Sequence, residues 1–399
     1  MIKDSFSLSI VCRWSFPDSS GGVAMHNYNT IKAINDHFKC NMISLESRSN
    51  QIFYKKEGIE YSGVKINSIY NKLYLLRLNF LKNSLRYLSD NNISKLFNKI
   101  INRNSDLIEF MDIHSEGYQF LKNNPDERDK TIIRSHTPFS LLRKYYTQNE
   151  LRGVDKAFAF RSEKRCFDWT ENITTPSQDL KKQLIRIFKI KPKKIKVIPN
   201  VLDTNHFVPT QNKTHNKFNI LHVGRFERAK GVETLIKAFI QLAKKYPEIH
   251  LTCIGNPRGS SFIKCKKYLI EGNLIQNVSF IGFVSYDELP SYYSQSNLVV
   301  VPSEIYESFS YTVAQGMACG KPVIASDIGG IPETVNMGNA GILFEVGNVE
   351  ELFEKIQSLY LDVSKRKSIG KKAREHVVKN YSMEALGPKY IEYYQSIMV

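Results

Sequence analysis

The chain has 399 residues, 42% hydrophobic and 24% charged, a globular composition that exceeds the usual length of one domain. Its six cysteines lie far apart without a C-x-x-C pair, which argues against a zinc site or a disulfide framework and predicts a reducing, cytoplasmic setting. No apolar run reaches the roughly 18–20 residues that span a bilayer, so we expect any membrane contact to be peripheral.

The net charge of +17 is concentrated in the first half of the chain. Residues 1–200 contain 34 Lys and Arg against 20 Asp and Glu, whereas residues 201–399 contain 22 against 19. An excess of positive charge attracts acidic partners. The first half is therefore predicted to meet an anionic molecule, and the second half need not.

In chain order, the first strand-like run covers residues 6–12 and is followed by Gly21 and Gly22. A glycine pair lets the backbone approach a ligand closely, although any tight turn uses one as well. Longer helical patterns alternate with further short apolar runs. Strands are predicted near 41–46, 106–110, 131–135, 171–175 and 195–198.

His136 follows the predicted strand 131–135, in the segment RSHTP. The carboxyl ends of parallel strands line ligand sites, which favours a functional role for this histidine. The alternative is a structural histidine that is held by hydrogen bonds.

Eight basic residues and no acidic residue lie between Lys181 and Lys196. In a helix, four of the cations fall within an arc of about 140°, opposite an apolar face. We favour a surface helix that packs one face on its sheet, and attraction to anionic lipid headgroups is the alternative. The cations and the apolar residues of this helix are Lys181, Lys182, Arg186 and Lys189, and Leu180, Leu184, Ile187 and Phe188.

The second half shows cleaner strand–helix alternation, which predicts a parallel, doubly wound sheet with ligands at the carboxyl ends of its strands. Its first helix is predicted over 232–246, and a final helix over 381–398. A polar run at 210–219 separates the two halves. The predicted strands are 219–223, 250–254, 278–280, 298–301 and 322–325.

The segment HVGRFERAKGVETL joins a predicted strand to a predicted helix. Arg225 and Lys230 lie in this turn, and two permanent cations at such a place can neutralise a pyrophosphate. The alternative is a solvated basic loop.

The stretch from Pro302 to Glu333 is the most informative part of the chain. A strand, a short acidic loop and a helix that opens near Ser308 predict an anion site at the helix N-terminus. Glu307 lies at the same place, where a bound phosphate would repel it, and this indicates chemistry. Gln315 lies two helical turns further on, where it could face the same elongated ligand or be a buried amide bonded to backbone.

These segments resemble the retaining glycosyltransferases of family 4. The matching pieces, in matching order and spacing, are VIPNVLDTNHFVP, HVGRFERAKGVETLIKAF, IGFVSYDEL, PSEIYESFS, MACGKPVIASDIGGIPE and NAGILF, with the glycine pair, RSHTP and TTPS in the first half. The resemblance implies an α/β GT-B fold of two facing Rossmann-like domains: an acceptor-binding domain at 1–205 and a nucleotide-sugar-binding domain at 206–380. A C-terminal helix at 381–399 would cross back to the first domain.

The resemblance also implies roles for individual residues. Arg225 and Lys230 would hold the donor diphosphate and stabilise the departing group, Glu307 would contact the transferred sugar, and His136 would hydrogen-bond that sugar. Neither a metal ion nor a cofactor is expected. The other implied donor-binding residues are Gly21 and Gly22 over the diphosphate, the Phe283–Val284 backbone against the base, the amides of Phe309 and Ser310, and Gln315 at the ribose.

One departure concerns Gln315, since the family usually has a second glutamate there. An amide bonds hydroxyls without charge assistance, so we expect weaker donor binding and an active enzyme. A second departure is the turn 199–203, PNVLD, which lacks the glycine of the family's PNGVD.

The sequence therefore predicts a metal-independent, retaining glycosyltransferase of bacterial surface polysaccharide or glycolipid biosynthesis. Its partners would be a nucleotide sugar and an anionic or lipid-linked glycan, and its basic first domain would contact the inner face of the membrane. Alternatives are a nucleotide-sugar epimerase or a glucan synthase of the same architecture, or a non-catalytic binding module. A nucleic-acid partner is not expected, because no aromatic-basic face is evident.

Overall fold

The computed structural model describes residues 6–13, 15, 21–45, 53–56, 59–64, 82–101, 105–142, 154–210 and 217–398. The chain divides into two compact units, Met1–Val201 with Met383–Val399, and Leu202–Ser382. Most of the polar run that was predicted to separate the two halves lies outside the described residues. Among the described helices, none combines the length and apolarity that crossing a bilayer requires.

The first unit is built on an eight-stranded sheet of order β3-β4-β2-β1-β5-β6-β7-β8. All its neighbouring strands are parallel except β3 and β4, which pair antiparallel at one edge. These two strands were not predicted. The strands are β1 (Phe6–Val11), β2 (Phe38–Leu45), β3 (Phe53–Lys56), β4 (Ile59–Val64), β5 (Leu107–Met111), β6 (Thr131–Arg134), β7 (Asn172–Thr175) and β8 (Ile195–Val197).

Helices connect these strands, and the last helix of the chain also belongs to the first unit. A Cβ added to Gly387 would lie 2.8 Å from the carbonyl oxygen of Ala33, so the last helix touches the first at backbone distance. The described helices of this unit are α1 (Gly22–Ile34), α2 (Lys82–Ile100), α3 (Tyr118–Asn123), α4 (Phe139–Leu142), α5 (Val154–Trp169), α6 (Gln178–Phe188) and α14 (Met383–Met398).

The second unit has a six-stranded, fully parallel sheet of order β11-β10-β9-β12-β13-β14. Apolar runs bounded by Gly, Pro and Asn form its strands. Most of these agree with the sequence prediction to within one residue, and β14 was not predicted. The strands are β9 (Asn219–Val223), β10 (His250–Ile254), β11 (Val278–Ile281), β12 (Leu298–Val301), β13 (Val323–Ser326) and β14 (Ile342–Phe344).

Helices of the second unit bury apolar side chains in a core that they share with the strands. In α7 the buried residues include Leu235, Ile236, Phe239 and Leu242, the spacing of one helical face. These side chains form one core with the strands. The described helices are α7 (Val232–Lys245), α8 (Ser260–Glu271), α9 (Leu289–Gln295), α10 (Tyr311–Ala318), α11 (Ile331–Thr334), α12 (Val349–Leu361) and α13 (Val363–Tyr381).

Each sheet has a topological switch point, which is the place where the strand order reverses direction. In the second unit the chain continues from β9 to β10 on one side, and later returns to β12 on the other. In the first unit β1 likewise lies between β2 and β5. Loops that diverge at such a point leave a crevice at the carboxyl ends of the strands, where ligands of open α/β sheets bind.

Candidate active site

The loop that leaves β9 is fastened to the segment that leaves β12. Gly231 adopts φ 65°, and a Cβ there would lie 1.6 Å from the carbonyl oxygen of Pro302, so only glycine fits. The backbone N–H of Glu304 donates to the carbonyl of Ala229 at 2.9 Å. The two loops at the switch point therefore form one packed structure.

Lys230 and Glu307 meet where these loops touch. The Lys230 Nζ donates to Glu307 Oε1 at 2.7 Å, and the two side chains are 26% and 12% exposed. The Ser303 hydroxyl donates to the same oxygen. Behind them, the N–H of Gly330 donates to the carbonyl of Glu307 at 2.7 Å. The structure thus brings together two predicted site residues that are 77 positions apart in sequence.

Glu307 is ionised by its surroundings. Burial opposes the charge, but the ammonium of Lys230 and hydrogen bonds from Lys230, Ser303 and Ser310 outweigh burial and hold the pKa of Glu307 below its ordinary value. The arrangement is an ammonium that is held in place by a carboxylate. It can offer a phosphate a fixed positive charge and offer hydroxyl groups a charged acceptor.

Arg225, the second predicted phosphate ligand, is placed differently. Its guanidinium is 63% exposed and lies 3.1 Å from the carboxylate of Glu227, two residues along the same loop. It pairs with that neighbour rather than with Glu307. The structure therefore separates the two predicted cations into one partly buried group and one surface group.

The predicted helix opening near Ser308 begins later, at Tyr311, with Ser310 as its N-terminal cap residue. The ring of Phe309 packs against those of Tyr311 and Tyr381. Gln315 is buried, and its Oε1 accepts a hydrogen bond from the Tyr293 hydroxyl at 2.9 Å. The oxygen of this amide is thus bonded to a phenol.

The two predicted base-binding residues follow β11. Phe283 is 79% exposed and Val284 is buried. Nearby, the ring of His206 stacks on that of Tyr286 at a centroid distance of 4.4 Å. This stack is a feature that sequence reasoning missed, because the two residues are 80 positions apart.

His222 was also missed. It is buried in β9, its Nδ1 lies 3.2 Å from the carbonyl oxygen of Val300, and burial lowers its pKa to about 4. It is therefore neutral at ordinary pH. The charges of Lys230 and Glu307 both act on its pKa, in opposite directions. A single histidine inside an apolar run gives no signal of such a position.

In the first unit, Gly21 caps α1 and Gly22 is its first helical residue. His136 follows β6 and is 7% exposed, with its ring 4.8 Å from that of His26. Burial and the nearby Arg134 charge hold the pKa of His136 well below its ordinary range, so the imidazole is neutral. Among the described residues, its Nε2 has no hydrogen-bond partner.

The His136 backbone is held by a residue that the sequence analysis did not single out. The N–H of His136 donates to Asp112 Oδ1 at 3.0 Å. Asp112 follows β5, so its position at the carboxyl end of a strand was the available signal. Glu163, which holds the next part of the loop, lies in the middle of α5 and gave no such signal.

Two family models match the chain. Residues 20–206 match "Glycosyltransferase Family 4", and residues 203–376 match "Glycosyl transferases group 1". Among curated proteins, a D-inositol 3-phosphate glycosyltransferase of Paenarthrobacter aurescens is 30% identical over 193 residues, which cover 46% of this chain and 47% of the relative. The chain thus spans about half the length of such relatives.

The fold matches solved structures over nearly its whole length. Sucrose-phosphate synthase from Thermosynechococcus elongatus aligns with a TM-score of 0.81 at 20% identity, covering 98% of this chain and 99% of that one. Anabaena HepE in complex with UDP and glucose aligns with a TM-score of 0.70 at 19% identity, covering 98% of this chain and 99% of that one. At this identity the likeness establishes the fold.

Two Rossmann-like units with parallel sheets, and a charged site at the switch point of the second, define a protein of the GT-B class. The consecutive family matches, which together run from residue 20 to residue 376, make the assignment narrower. The chain belongs to the family 4 type of glycosyltransferases.

Proposed function

We propose that this protein moves a sugar from a nucleoside-diphosphate sugar to an acceptor hydroxyl and retains the anomeric configuration. The observation that carries the proposal is the Lys230–Glu307 pair, 2.7 Å apart at the switch point of the second unit. A partly buried ammonium, already held in position, is a counter-charge for a diphosphate that needs no rearrangement during reaction. Likeness to a structure of HepE with UDP-glucose supports this donor class.

In the proposed step, the bond between the anomeric carbon and the diphosphate oxygen breaks. The acceptor oxygen forms its bond to that carbon on the same face, and the acceptor proton passes to the departing phosphate oxygen. Lys230 and Arg225 offset the charge that develops on the leaving group. Glu307 accepts from hydroxyls of the transferred sugar, because its lowered pKa keeps it ionised.

The remaining donor contacts rest on the resemblance. We assign His136 to the transferred sugar and Gln315 to the ribose, where its NH2 group donates because its oxygen is engaged by Tyr293. The other proposed donor-binding residues are Gly21, Gly22, Phe283, Val284, Phe309 and Ser310.

For the acceptor we propose an anionic or lipid-linked glycan, met at the inner face of the membrane by the basic surface of the first unit. Lys182, Arg186 and Lys189 are exposed on and just after α6, while Leu180 and Leu184 are buried. The helix thus packs one face on its unit and presents cations on the other, which suits anionic headgroups as well as an anionic glycan.

We also propose that transfer needs no metal ion, since Lys230 and Arg225 supply the positive charge that a diphosphate requires. The test begins with a thermal-shift screen of UDP-, GDP- and ADP-sugars, because a bound donor raises the melting temperature with concentration. Release of nucleotide from the active donor is then measured with and without EDTA. Unchanged release is expected, and strong inhibition by EDTA would contradict a metal-free reaction.

The same assay separates the rival functions. A sugar that changes configuration without an acceptor would favour an epimerase, whereas chain growth on a glucan primer would favour a glucan synthase. Glycan binding that ignores every nucleotide sugar would favour a non-catalytic module. The proposed function predicts acceptor-dependent release of nucleotide, with the product linkage in the donor's anomeric configuration by NMR.

A further inference from the structure

Two buried carboxylates hold the segment that carries His136. This segment, residues 135–140 (SHTPFS), joins the end of β6 to α4 and is called the histidine loop below. Asp112 and Glu163 are 3% and 2% exposed, and they belong to different elements. Neither was assigned a role by the sequence or by the comparisons.

Asp112 fixes the first part of the histidine loop. Its Oδ2 accepts from the Ser135 hydroxyl at 2.6 Å, and its Oδ1 accepts from the His136 N–H at 3.0 Å. The N–H groups of Ile113 and Thr137 also contribute to its environment. Because Asp112 directly follows β5, it ties the carboxyl end of that strand to the carboxyl end of β6.

Glu163 fixes the second part. Its Oε1 accepts from the Phe139 N–H at 2.6 Å, and its Oε2 accepts from the Ser140 N–H at 3.2 Å and from the Ser140 hydroxyl. Glu163 projects from α5, an element that contributes nothing else to the predicted site. The loop is therefore clamped on both sides of Pro138.

The two carboxylates are placed at a cost in free energy. Buried carboxylates are unfavourable unless they are paired, and each of these is bonded to loop N–H and hydroxyl groups and not to a cation of the described residues. Burial raises the pKa of Asp112 to about 6 and that of Glu163 to about 8, with repulsion from Asp112 adding to the latter. The hydrogen-bond donors to both groups belong to the histidine loop, apart from the N–H of Ile113.

The clamp has a consequence for His136. Its ring packs against His26, while its buried Nε2 has no partner within the part of the chain that the structure describes. A polar nitrogen left in that state is available to a ligand. A loop held at both ends keeps the nitrogen at one position, which is the requirement for a group that must meet a reacting sugar.

We propose that Asp112 and Glu163 are positioning residues of the transfer reaction, which act through His136 by holding the histidine loop. This inference rests on the proposed function only in the contact between His136 and the donor sugar. Neither carboxylate touches the substrate. Loss of the clamp should therefore slow the chemical step without weakening nucleotide binding.

The principal variant is Glu163→Met, which keeps the side-chain length and removes the acceptors. Glu163→Gln is the conservative rescue, because it retains an acceptor for Phe139 and a donor for the Ser140 oxygen. Glu109→Met is the matched control, since Glu109 is a buried carboxylate of the same unit that bonds Tyr394 and not the loop. If Glu163→Met fails to fold, Ser140→Ala removes one clamp partner and is compared with the same control.

Sugar-nucleotide turnover and the Kd for UDP and GDP are measured for each variant. In Glu163→Met we expect kcat to fall at least tenfold and Kd to change less than twofold. In Glu163→Gln and in Glu109→Met we expect kcat to fall less than threefold. When His136 is already replaced by Ala, adding Glu163→Met should lower kcat less than threefold, because the residue through which Glu163 acts is then absent. An equal loss in Glu109→Met, or the same loss with and without His136, would overturn the proposal.

Two further readouts separate this proposal from the proposed function. Full activity in His136→Ala together with inactive Lys230→Ala would overturn the positioning role and leave the transfer reaction standing. If no nucleotide sugar is turned over, the 15N resonances of the His136 ring test whether Glu163 holds the histidine loop. They should shift or broaden in Glu163→Met and not in Glu109→Met, and unchanged resonances in both would refute the clamp.

Discussion

The two units have related parallel sheets, but the buried carboxylates near the candidate site residues of each unit have different partners. In the second unit, Glu307 is paired with Lys230, and its pKa is lowered. In the first unit, Glu109, Asp112 and Glu163 accept from hydroxyl and N–H groups, and their pKa values are raised. Glu307 is a charged group held beside a cation, whereas Asp112 and Glu163 fix the backbone of the histidine loop.

The comparison shows that a carboxylate at the carboxyl edge of a sheet can serve two purposes. A partner cation makes it a charged group that a ligand can use. Neutral donors make it a structural clamp whose protonation depends on burial. The nature of the partner, and not the position in the sheet, distinguishes the two.

The largest expected effect tests the charged pair of the second unit. Lys230→Met removes the counter-charge for the leaving group and should lower kcat by about 10²–10³-fold, as the loss of a preorganised electrostatic contact does. Nucleotide release at saturating donor measures this. Lys244→Met, at an exposed position in the last turn of α7, is the control and should leave kcat unchanged. Normal turnover in Lys230→Met would contradict the role of the Lys230–Glu307 pair as the charged group of the site.

The next effect tests a carboxylate of the first unit. Tyr394 donates its hydroxyl to Glu109 Oε2 at 3.0 Å, so Tyr394→Phe should lower the free energy of unfolding by about 1–2 kcal/mol. Tyr393→Phe is a matched control, because the buried Tyr393 hydroxyl has no partner among the described residues. Urea unfolding measures both variants, and equal effects would contradict the importance of this bond.

A third prediction concerns pH. Raised pKa values mean that folded Glu109, Asp112 and Glu163 retain protons that the unfolded chain releases above about pH 4–4.5, so the first unit should lose stability as pH rises from 5 to 8. Glu307 acts in the opposite sense, since its contribution is lost only as pH falls below the ordinary range of a carboxyl.

Fluorescence can follow this in the whole chain, because Trp169 ends α5 of the first unit and the sequence of residues 202–382 contains no tryptophan. Urea midpoints are compared at pH 5 and pH 8, and Glu163→Gln should reduce the difference. A urea midpoint that is higher at pH 8 than at pH 5 in the native chain would contradict the prediction that these carboxyl groups lower stability as pH rises.

The smallest effect concerns the basic surface of the first unit. Replacing Lys182, Arg186 and Lys189 with Gln should weaken binding to vesicles with 30% phosphatidylserine by roughly tenfold, since each cation near such a surface contributes about 1 kcal/mol before screening. Lys244, Lys245 and Lys267 of the second unit, replaced together, are the control. Equal losses would mean that charge alone, and not this face, drives the binding.

The sequence was most informative where apolar runs were bounded by glycine, proline or asparagine. Strands such as Leu298–Val301 were predicted with their observed limits, and helix α7 to within one residue. The strands β3 and β4 were missed because polar residues interrupt their apolar side chains and the two strands pair antiparallel at a sheet edge. Local patterns do not encode such an edge pairing.

The candidate site was predictable only in part for a related reason. Topology indicated that Lys230 and Glu307 lie at neighbouring strand ends. Glu307 was expected to oppose a phosphate, and its bond to Lys230 was not predicted. The Glu163 contact depends on how α5 packs, and nothing in the segment RSEKRCFDW distinguishes that glutamate from a surface charge. Tertiary packing decides both contacts.

The close contact between Gly387 and Ala33 bears on biosynthesis. The first unit takes its last helix from residues that leave the ribosome after the entire second unit, so α1 waits for α14 while Leu202–Ser382 already has all its strands. Nascent chains usually mature from the amino end. Here the later-translated unit can finish first, and limited proteolysis of stalled ribosome–nascent chains should show residues 202–382 protected before residues 21–45.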